Sequence, residues 1–95
     1  MLDRVKLALR IGHTALDDTI RMEIEAARQE MIRVGIDPYK ASIEDDPLIS
    51  RAIITFCRGE HTSDVKQKEG FQHSFEVQLD NLRKSVGYRE EPNDE

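Results

Sequence analysis

A chain of 95 residues with 38% hydrophobic and 35% charged side chains has room for one small folded domain. Its formal net charge of −5 disfavours a domain that grips DNA without sequence preference, because such domains are basic overall. A single cysteine, Cys57, excludes an intramolecular disulfide and is typical of a reducing cytoplasm, and no apolar run approaches membrane-spanning length.

The first predicted element is a short helix over about residues 2 to 10. Leu2, Val5 and Leu9 fall at the i, i+3 and i+7 positions of one helix face. Gly12 is the predicted end of this helix, since glycine is common just beyond helix C-termini. The same segment carries three basic side chains, those of Arg4, Lys6 and Arg10.

A long second helix is predicted from a Thr14 N-cap to about residue 34. Asp17 and Asp18 would lie in its first turn, where the helix dipole favours anions. Its apolar residues keep to one helix face: Leu16, Ile20, Ile24, Ala27, Met31 and Val34. Gly35 then begins a long loop over residues 35 to 46, marked by the Asp37-Pro38 pair.

The third predicted helix covers about residues 47 to 59 and is the most apolar of all. Asp46 followed by Pro47 indicates an N-cap with proline at the first helical position, and Gly59 is expected to end the helix. Because apolar residues cover more than half of its circumference, this helix should lie at the centre of the fold. Ile53 and Phe56 are therefore expected to be deeply buried.

The fourth predicted helix covers about residues 64 to 86, with Thr62 or Ser63 as its cap and Gly70 as a local weak point. The segment "YREEPNDE" follows and is expected to be mobile in the free subunit, because an acidic tail does not bury itself on a negative domain. Together these elements predict an all-α fold. It is a small bundle of three main helices plus a short N-terminal one, with one long loop between the second and third helices.

Side chains suited to catalysis or metal binding are few. Cys57 and His61 stand at i and i+4 and would supply half of a metal site, but a buried thiol beside an exposed histidine is the favoured interpretation. The acid pairs Asp17-Asp18 and Asp45-Asp46 lie where helix caps belong. We therefore expect no enzyme activity, no catalytic or metal site and no cofactor.

Two other classes of protein stay open from the residues alone. One is a small helical interaction or regulatory module. The other is a helix-turn-helix DNA-binding protein whose turn is the break at residues 59 to 63. The helix after that break mixes Lys66 and Lys68 with Glu69 and Glu76, whereas a recognition helix needs basic and amide side chains that face one groove.

The order of four segments resembles a known family. "LDRVKLALRI", "TALDDTIRMEIEAARQEM", "DDPLISRAIITFCR" and "FQHSFEVQLDNLRKSV" are similar to the small all-helical head–tail connector (adaptor) proteins of tailed double-stranded DNA bacteriophages. The resemblance covers about residues 2 to 88. It departs from the family pattern in two places. Phe71 and Phe75 stand where at least one Tyr is expected, and "CRGEHTSDVKQKEG" is more charged than usual.

The resemblance implies a structural role at the head–tail junction of a virion. Such proteins assemble as a closed ring of roughly a dozen copies beneath the portal protein. The ring extends the DNA channel and provides a platform for a head-completion or tail-completion protein. Double-stranded DNA would pass without specific binding, no membrane would be involved, and assembly would occur in the host cytoplasm.

Three groups of residues are candidate contacts in such an assembly. Arg4, Lys6 and Arg10 of one subunit would face Asp17 and Asp18 of the next, unless these charges are simply solvated. The apolar loop residues would pack against a neighbouring subunit or the portal, or equally well against their own bundle: Ile36, Tyr39 and Ile43. Residues 1–88 would form the helical connector domain and residues 89–95 a flexible acidic tail, with Tyr88 and Arg89 as portal contacts.

Overall fold

A computed structural model describes residues 1–90 of the chain. Over these residues the fold is all-α, as predicted, and its five helices are α1 (Leu2–Leu9), α2 (Asp17–Arg33), α3 (Pro38–Ala41), α4 (Pro47–His61) and α5 (Val65–Lys84). Helices α1, α2 and α5 all pack against α4, which is therefore the central helix that its apolar composition predicts. The one β-type contact in the described part of the chain is an isolated bridge between Ile36 and Arg89.

The core lies between α4 and the helices around it. The apolar stripe predicted for α2 is confirmed at Ile20, Ile24, Ala27 and Met31, all buried. The largest fully buried side chains come from α1, α2, α4 and the loop after α2: Val5, Ile20, Met31, Ile36, Ile49, Ile53 and Cys57.

Two expectations for α4 meet different outcomes. Ile53 is fully buried, as predicted. Phe56 is only half-buried, so the prediction of deep burial is wrong for it. Its ring packs in a tilted arrangement against the ring of Phe75 on α5, with centroids 5.1 Å apart and planes inclined by 59°. Phe56 is left partly open because it faces the gap between α2 and α5.

Helices α4 and α5 form an antiparallel hairpin. Near the connecting turn, Gly59 lies so close to α5 that a Cβ on it would be 3.3 Å from the Cβ of Phe71. Farther from the turn, Gln78 Nε2 donates a hydrogen bond of 3.2 Å to Thr55 Oγ1. Gly59 does not end α4 as predicted, because the helix continues to His61. Its missing side chain allows the close approach of the two helices.

The ends of α1 and α2 differ from the prediction. Arg10 adopts the left-handed conformation, with φ 59°, and ends α1 two residues before the expected stop at Gly12. Leu16 rather than Thr14 is the N-cap of α2, and it supplies no side-chain hydrogen bond. The carbonyl of Thr14 instead accepts the backbone N–H of Asp17 at 3.1 Å in the turn before α2.

The caps of α4 and α5 follow ordinary rules. Asp46 Oδ1 accepts the backbone N–H groups of Leu48 at 2.9 Å and Ile49 at 3.3 Å, which confirms the predicted cap of α4. Asp64, and neither Thr62 nor Ser63, caps α5 by accepting the N–H of Gln67 at 3.1 Å. Gly70 lies inside α5 without interrupting it.

The loop after α2 holds the C-terminal part of the described chain. The N–H of Asp37 donates to the carbonyl of Tyr88 at 2.8 Å, and the N–H of Glu90 donates to the carbonyl of Gly35 at 2.8 Å. Gly35 has φ +107°, a conformation that suits glycine. The backbone of residues 88 to 90 thus pairs with residues 35 to 37, and the expected mobility of the tail stays a prediction. Residues 91 to 95 of the predicted tail lie outside the described residues.

Candidate interaction surfaces

The predicted contact between basic and acidic patches is partly made within one chain. Lys6 Nζ lies 2.7 Å from Asp17 Oδ1, and the two side chains are 14% and 20% exposed. The contact is an ion pair, and its geometry does not meet the angles of a hydrogen bond to Asp17 Oδ1. It joins α1 to the first turn of α2. Lys6 and Asp17 each have an oppositely charged partner within the chain, and their contact across a subunit boundary stays a prediction.

Arg4 is also engaged within its own chain. Its guanidinium Nη2 lies 3.1 Å from Asp45 Oδ1, and its Nη1 donates to Ser50 Oγ at 3.1 Å and to the carbonyl of Glu44. The amino group of Met1 lies 2.8 Å from Glu44 Oε1 and holds the pKa of that carboxyl below its usual range. These contacts fasten the turn before α4 to α1, so Arg4 is not the free patch residue that was expected.

Arg10 and Asp18 remain on the surface. Asp18 forms an ion pair of 3.1 Å with Arg21 on its own helix. Arg10 and Arg58 of α4 line one shallow depression. A second depression adjoins it and is lined by Arg51, Ile54 and the same Arg58. We call this surface the basic face and define it by Arg10, Ile54, Arg51 and Arg58. None of its three arginines forms an ion pair with another described residue.

The basic face was missed at the level of sequence. Arg51 and Arg58 are seven residues apart, which places them two turns apart on one side of α4. This spacing could have identified the two arginines as neighbours from the sequence. The sequence could not have placed Arg10 beside them, since its position depends on how α1 packs against α4.

A groove of about 540 Å³ runs between α2, α4 and α5. We call it the aromatic groove. Its apolar lining consists of Val34, Phe56, Phe71, Phe75 and Leu79, and its charged rim of Glu30, Arg33, Glu60, Glu76, Asp80 and Arg83. The groove exists because α5 packs along α4 and not along α2.

The rim of the aromatic groove carries an excess of negative charge. Arg33 pairs with Glu30, and Arg83 Nη2 lies 2.6 Å from Asp80 Oδ1. The hydrogen bond from Arg33 lowers the pKa of Glu30, and Lys84 together with Arg83 lowers that of Asp80. Glu60 and Glu76, both exposed, have no cationic partner among residues 1–90.

The three loop candidates have three different environments. Ile36 is fully buried in the core of its own chain, which is the second of the two alternatives given for the loop residues. Ile43 is half-buried. Tyr39, on α3, is 71% exposed and has the surface that a partner contact requires.

The two C-terminal candidates also differ. Tyr88 is half-buried against the core, and its hydroxyl donates a hydrogen bond of 2.8 Å to Asp46 Oδ2. This hydrogen bond raises the pKa of the phenol. Tyr88 is therefore not the free anchor that was expected, whereas Arg89 is exposed.

Cys57 and His61 lie in different environments. Burial, with Glu23 and Glu60 nearby, raises the pKa of the Cys57 thiol to about 12. The ring of His61 lies with Nε2 2.6 Å from Glu23 Oε1, which gives it a carboxylate partner. Residues 1–90 contain no group of three or more His, Cys, Asp or Glu residues placed to hold a metal ion. No helix in this part of the chain has the length and apolar character needed to cross a membrane.

Comparison with known proteins identifies a family for the chain. No curated protein and no solved structure is significantly similar to the chain. The family model of the phage connector protein matches residues 1–92, which is nearly the full length. The chain therefore belongs to the phage connector protein family, and this membership gives it a structural role in a phage particle.

Proposed function

We propose that this protein forms a closed ring of roughly a dozen copies beneath the portal, at the junction of a phage head and its tail. The ring extends the channel for double-stranded DNA, which passes without specific binding. It also offers a platform to a head-completion or tail-completion protein. The protein then resides in the neck of the virion and, during assembly, in the host cytoplasm.

The observation that carries the proposal is the extent of the family match. It covers residues 1–92 and so includes all five helices. A match of this extent concerns the whole folded unit, whereas a match to one helix pair would concern only a common packing motif. For that reason a role in the head–tail connection is favoured over a general interaction module.

Charge and size support a ring around passing DNA. The formal net charge of −5 works against adhesion of the DNA phosphates to the subunit. A chain of this length buries only roughly 60–65% of the surface that its unfolded form exposes. Contacts with neighbouring copies would therefore add to the stability of each subunit.

The packing of α4 against α5 disfavours a helix-turn-helix protein. In that motif two helices meet at about 90–120° and the second one enters the major groove of DNA. Here the helices run antiparallel, and Gln78 still contacts Thr55 well away from the connecting turn. A long antiparallel hairpin does not present its second helix in the required way.

Reconstitution with phage heads tests the proposal. Heads that contain the portal and packaged DNA should retain the protein through sedimentation, and electron microscopy should reveal a ring at a single vertex. Heads without the portal are the matched control and should retain none. Equal retention by both kinds of head contradicts the proposal. A mobility shift of duplex DNA with a steep salt dependence would favour DNA binding instead.

A further inference from the structure

We propose that the aromatic groove of one subunit receives the basic face of a second copy of this chain. The inference rests on the proposed ring and identifies the two surfaces that meet in it. It assigns a binding role to Arg51 and Arg58 and to Glu60 and Glu76, none of which belongs to the charge pairs predicted from the sequence.

The residues that α4 contributes to the two surfaces lie on opposite sides of that helix, whereas Phe71 of α5 borders both surfaces. Phe56 faces the aromatic groove, and Ile54 lies on the basic face. Residues two apart on a helix are displaced by about 200° around its axis. A contact between two different surfaces is heterologous, and it leads to a ring or an open chain of subunits rather than to a closed dimer.

The charges of the two surfaces are complementary. Glu60 and Glu76 on the rim of the groove have no cationic partner among the described residues, and the arginines of the basic face have no acidic one. Bringing the surfaces together would supply partners to both sets. Complementary charges also fix the orientation of a contact and exclude like-charged alternatives.

Apolar and aromatic groups support the same pairing. Phe56 and Phe71 are only half-buried within the chain, and Ile54 on the basic face is half-buried too. Arginine is well suited to such a contact, because its planar guanidinium stacks on aromatic rings and forms paired hydrogen bonds with carboxylates.

Arg10 adds a third guanidinium to the basic face. Arg10 holds φ 59°, a conformation in which glycine is favoured and most other residues are strained. Its side chain is exposed and makes no ion pair with a described residue. That conformation closes α1, because the N–H of Arg10 donates to the carbonyl of Leu7 at 3.2 Å and the N–H of Ile11 donates to that of Lys6 at 2.9 Å. The guanidinium takes no part in this cap and stays available for a contact with a second copy.

Charge reversal on each surface tests the pairing. The basic-face variant carries Arg51→Glu and Arg58→Glu, and the groove variant carries Glu60→Arg and Glu76→Arg. Because all four side chains are exposed, both variants should keep the helicity and melting temperature of the wild type. Sedimentation velocity and native mass spectrometry should find self-association at least about tenfold weaker in each variant.

Combining the four changes in one chain should restore self-association, because the two surfaces are then complementary again with their signs exchanged. An equimolar mixture of the two double variants should also assemble. A matched control variant carries Lys66→Glu and Arg89→Glu, which change the net charge by the same amount as the basic-face variant at two exposed positions that line neither surface. It should assemble like the wild type.

The outcomes separate this inference from the proposed function. Rings that persist in both double variants would overturn the surface assignment and leave the proposed function intact. If self-association is weak in both double variants and also in the combined variant, the pairing of these two surfaces is overturned. Unchanged self-association with poor attachment of the groove variant to heads would assign the groove to the portal and overturn the inference. A wild-type chain that assembles neither in solution nor on heads that contain the portal would overturn both.

Discussion

Tyr88 and Asp46 join the C-terminal segment to the start of the central helix. The phenol of Tyr88 donates a hydrogen bond of 2.8 Å to Asp46 Oδ2, while Oδ1 of the same carboxylate caps α4 through the N–H groups of Leu48 and Ile49. A single side chain thus serves two elements that are far apart in the sequence. Residues 88 to 90 therefore contact both the start of α4 and the loop after α2.

Removing the hydroxyl of Tyr88 should destabilise the protein. Hydrogen bonds to charged groups contribute about 1.5–3 kcal/mol, so Tyr88→Phe should lower the free energy of unfolding by about 1–2 kcal/mol, given its partial exposure. Urea denaturation measures the change. Tyr39→Phe is the matched control, because this residue is 71% exposed and its loss of a hydroxyl should have little effect. Equal changes in the two variants would contradict the role of Tyr88.

The same hydrogen bond predicts a dependence on pH. The bond to Asp46 raises the pKa of Tyr88 above its ordinary value of 10.0. A group whose pKa is raised on folding contributes its full stability below the unfolded pKa and loses it as the pH rises through the folded pKa. The stability advantage of the wild type over Tyr88→Phe should therefore be constant near neutrality and shrink in alkaline solution. An advantage that grows above pH 10 would be the opposite of this result.

The ion pair between Lys6 and Asp17 should stabilise the contact of α1 with α2. Lys6→Met would leave a mostly buried carboxylate without its cation, and we expect a loss of about 1–2 kcal/mol in the free energy of unfolding. Lys66→Met, at an exposed position of α5, is the control and should change stability by less than about 0.5 kcal/mol. Adding Asp17→Asn to Lys6→Met should recover part of the loss. No recovery would indicate that Lys6 acts through packing alone.

Two glycines should respond differently to alanine. A Cβ on Gly70 would have no heavy atom within 4 Å, so Gly70→Ala should stabilise α5 by about 0.5–1 kcal/mol through helix propensity. A Cβ on Gly59 would lie 3.3 Å from the Cβ of Phe71, so crowding should offset the same gain. In thermal melts, the melting temperature of Gly70→Ala should therefore be higher than that of Gly59→Ala. The reverse order would argue against the close approach of α4 and α5 at Gly59.

Local patterns predicted the helices well and their ends less well. The stripe from Ile20 to Met31 specifies a buried face, because helical spacing translates directly into position around the axis. Asp46 followed by Pro47 specifies the start of α4 for an equally local reason. Gly59 was misinterpreted as a helix end, because its role is to admit α5, and a single helix carries no information about its neighbour.

The candidate contacts depended on information that the sequence does not contain locally. Opposite charges at Lys6 and Asp17 predict an attraction but not whether it acts within a chain or between chains. The turn after α1 folds α1 back onto α2 and so brings these two side chains together within one chain. The engagement of Tyr88 likewise depends on a contact with Asp46 across 42 positions of the sequence.

The different burial of Ile53 and Phe56 predicts unequal costs of truncation. Ile53 is fully buried, and Ile53→Ala should cost about 2–5 kcal/mol through lost transfer energy and the cavity left behind. Phe56 is half-buried beside the aromatic groove, so Phe56→Ala should cost less than the ~3–5 kcal/mol typical of a buried phenylalanine. Chemical denaturation of both variants measures the difference. A larger loss for Phe56→Ala would mean that the groove is closed in solution.

Arg10 should show opposite effects on stability and on assembly. Arg10→Gly relieves a left-handed conformation that costs roughly 1–2 kcal/mol for a residue with a side chain, and the greater freedom of glycine in the unfolded chain offsets part of this gain. We expect a net stabilisation of about 0.5–1 kcal/mol in urea denaturation. Self-association, measured by sedimentation, should nevertheless weaken, because one guanidinium of the basic face is lost.

Arg10→Ala is the matched control for this last prediction. It removes the same guanidinium but keeps a Cβ in the left-handed conformation, so it should weaken self-association as Arg10→Gly does without the gain in stability. If Arg10→Gly assembles as tightly as the wild type, the side chain has no part in the contact between subunits. If both variants are equally stable, the left-handed conformation of Arg10 carries little strain.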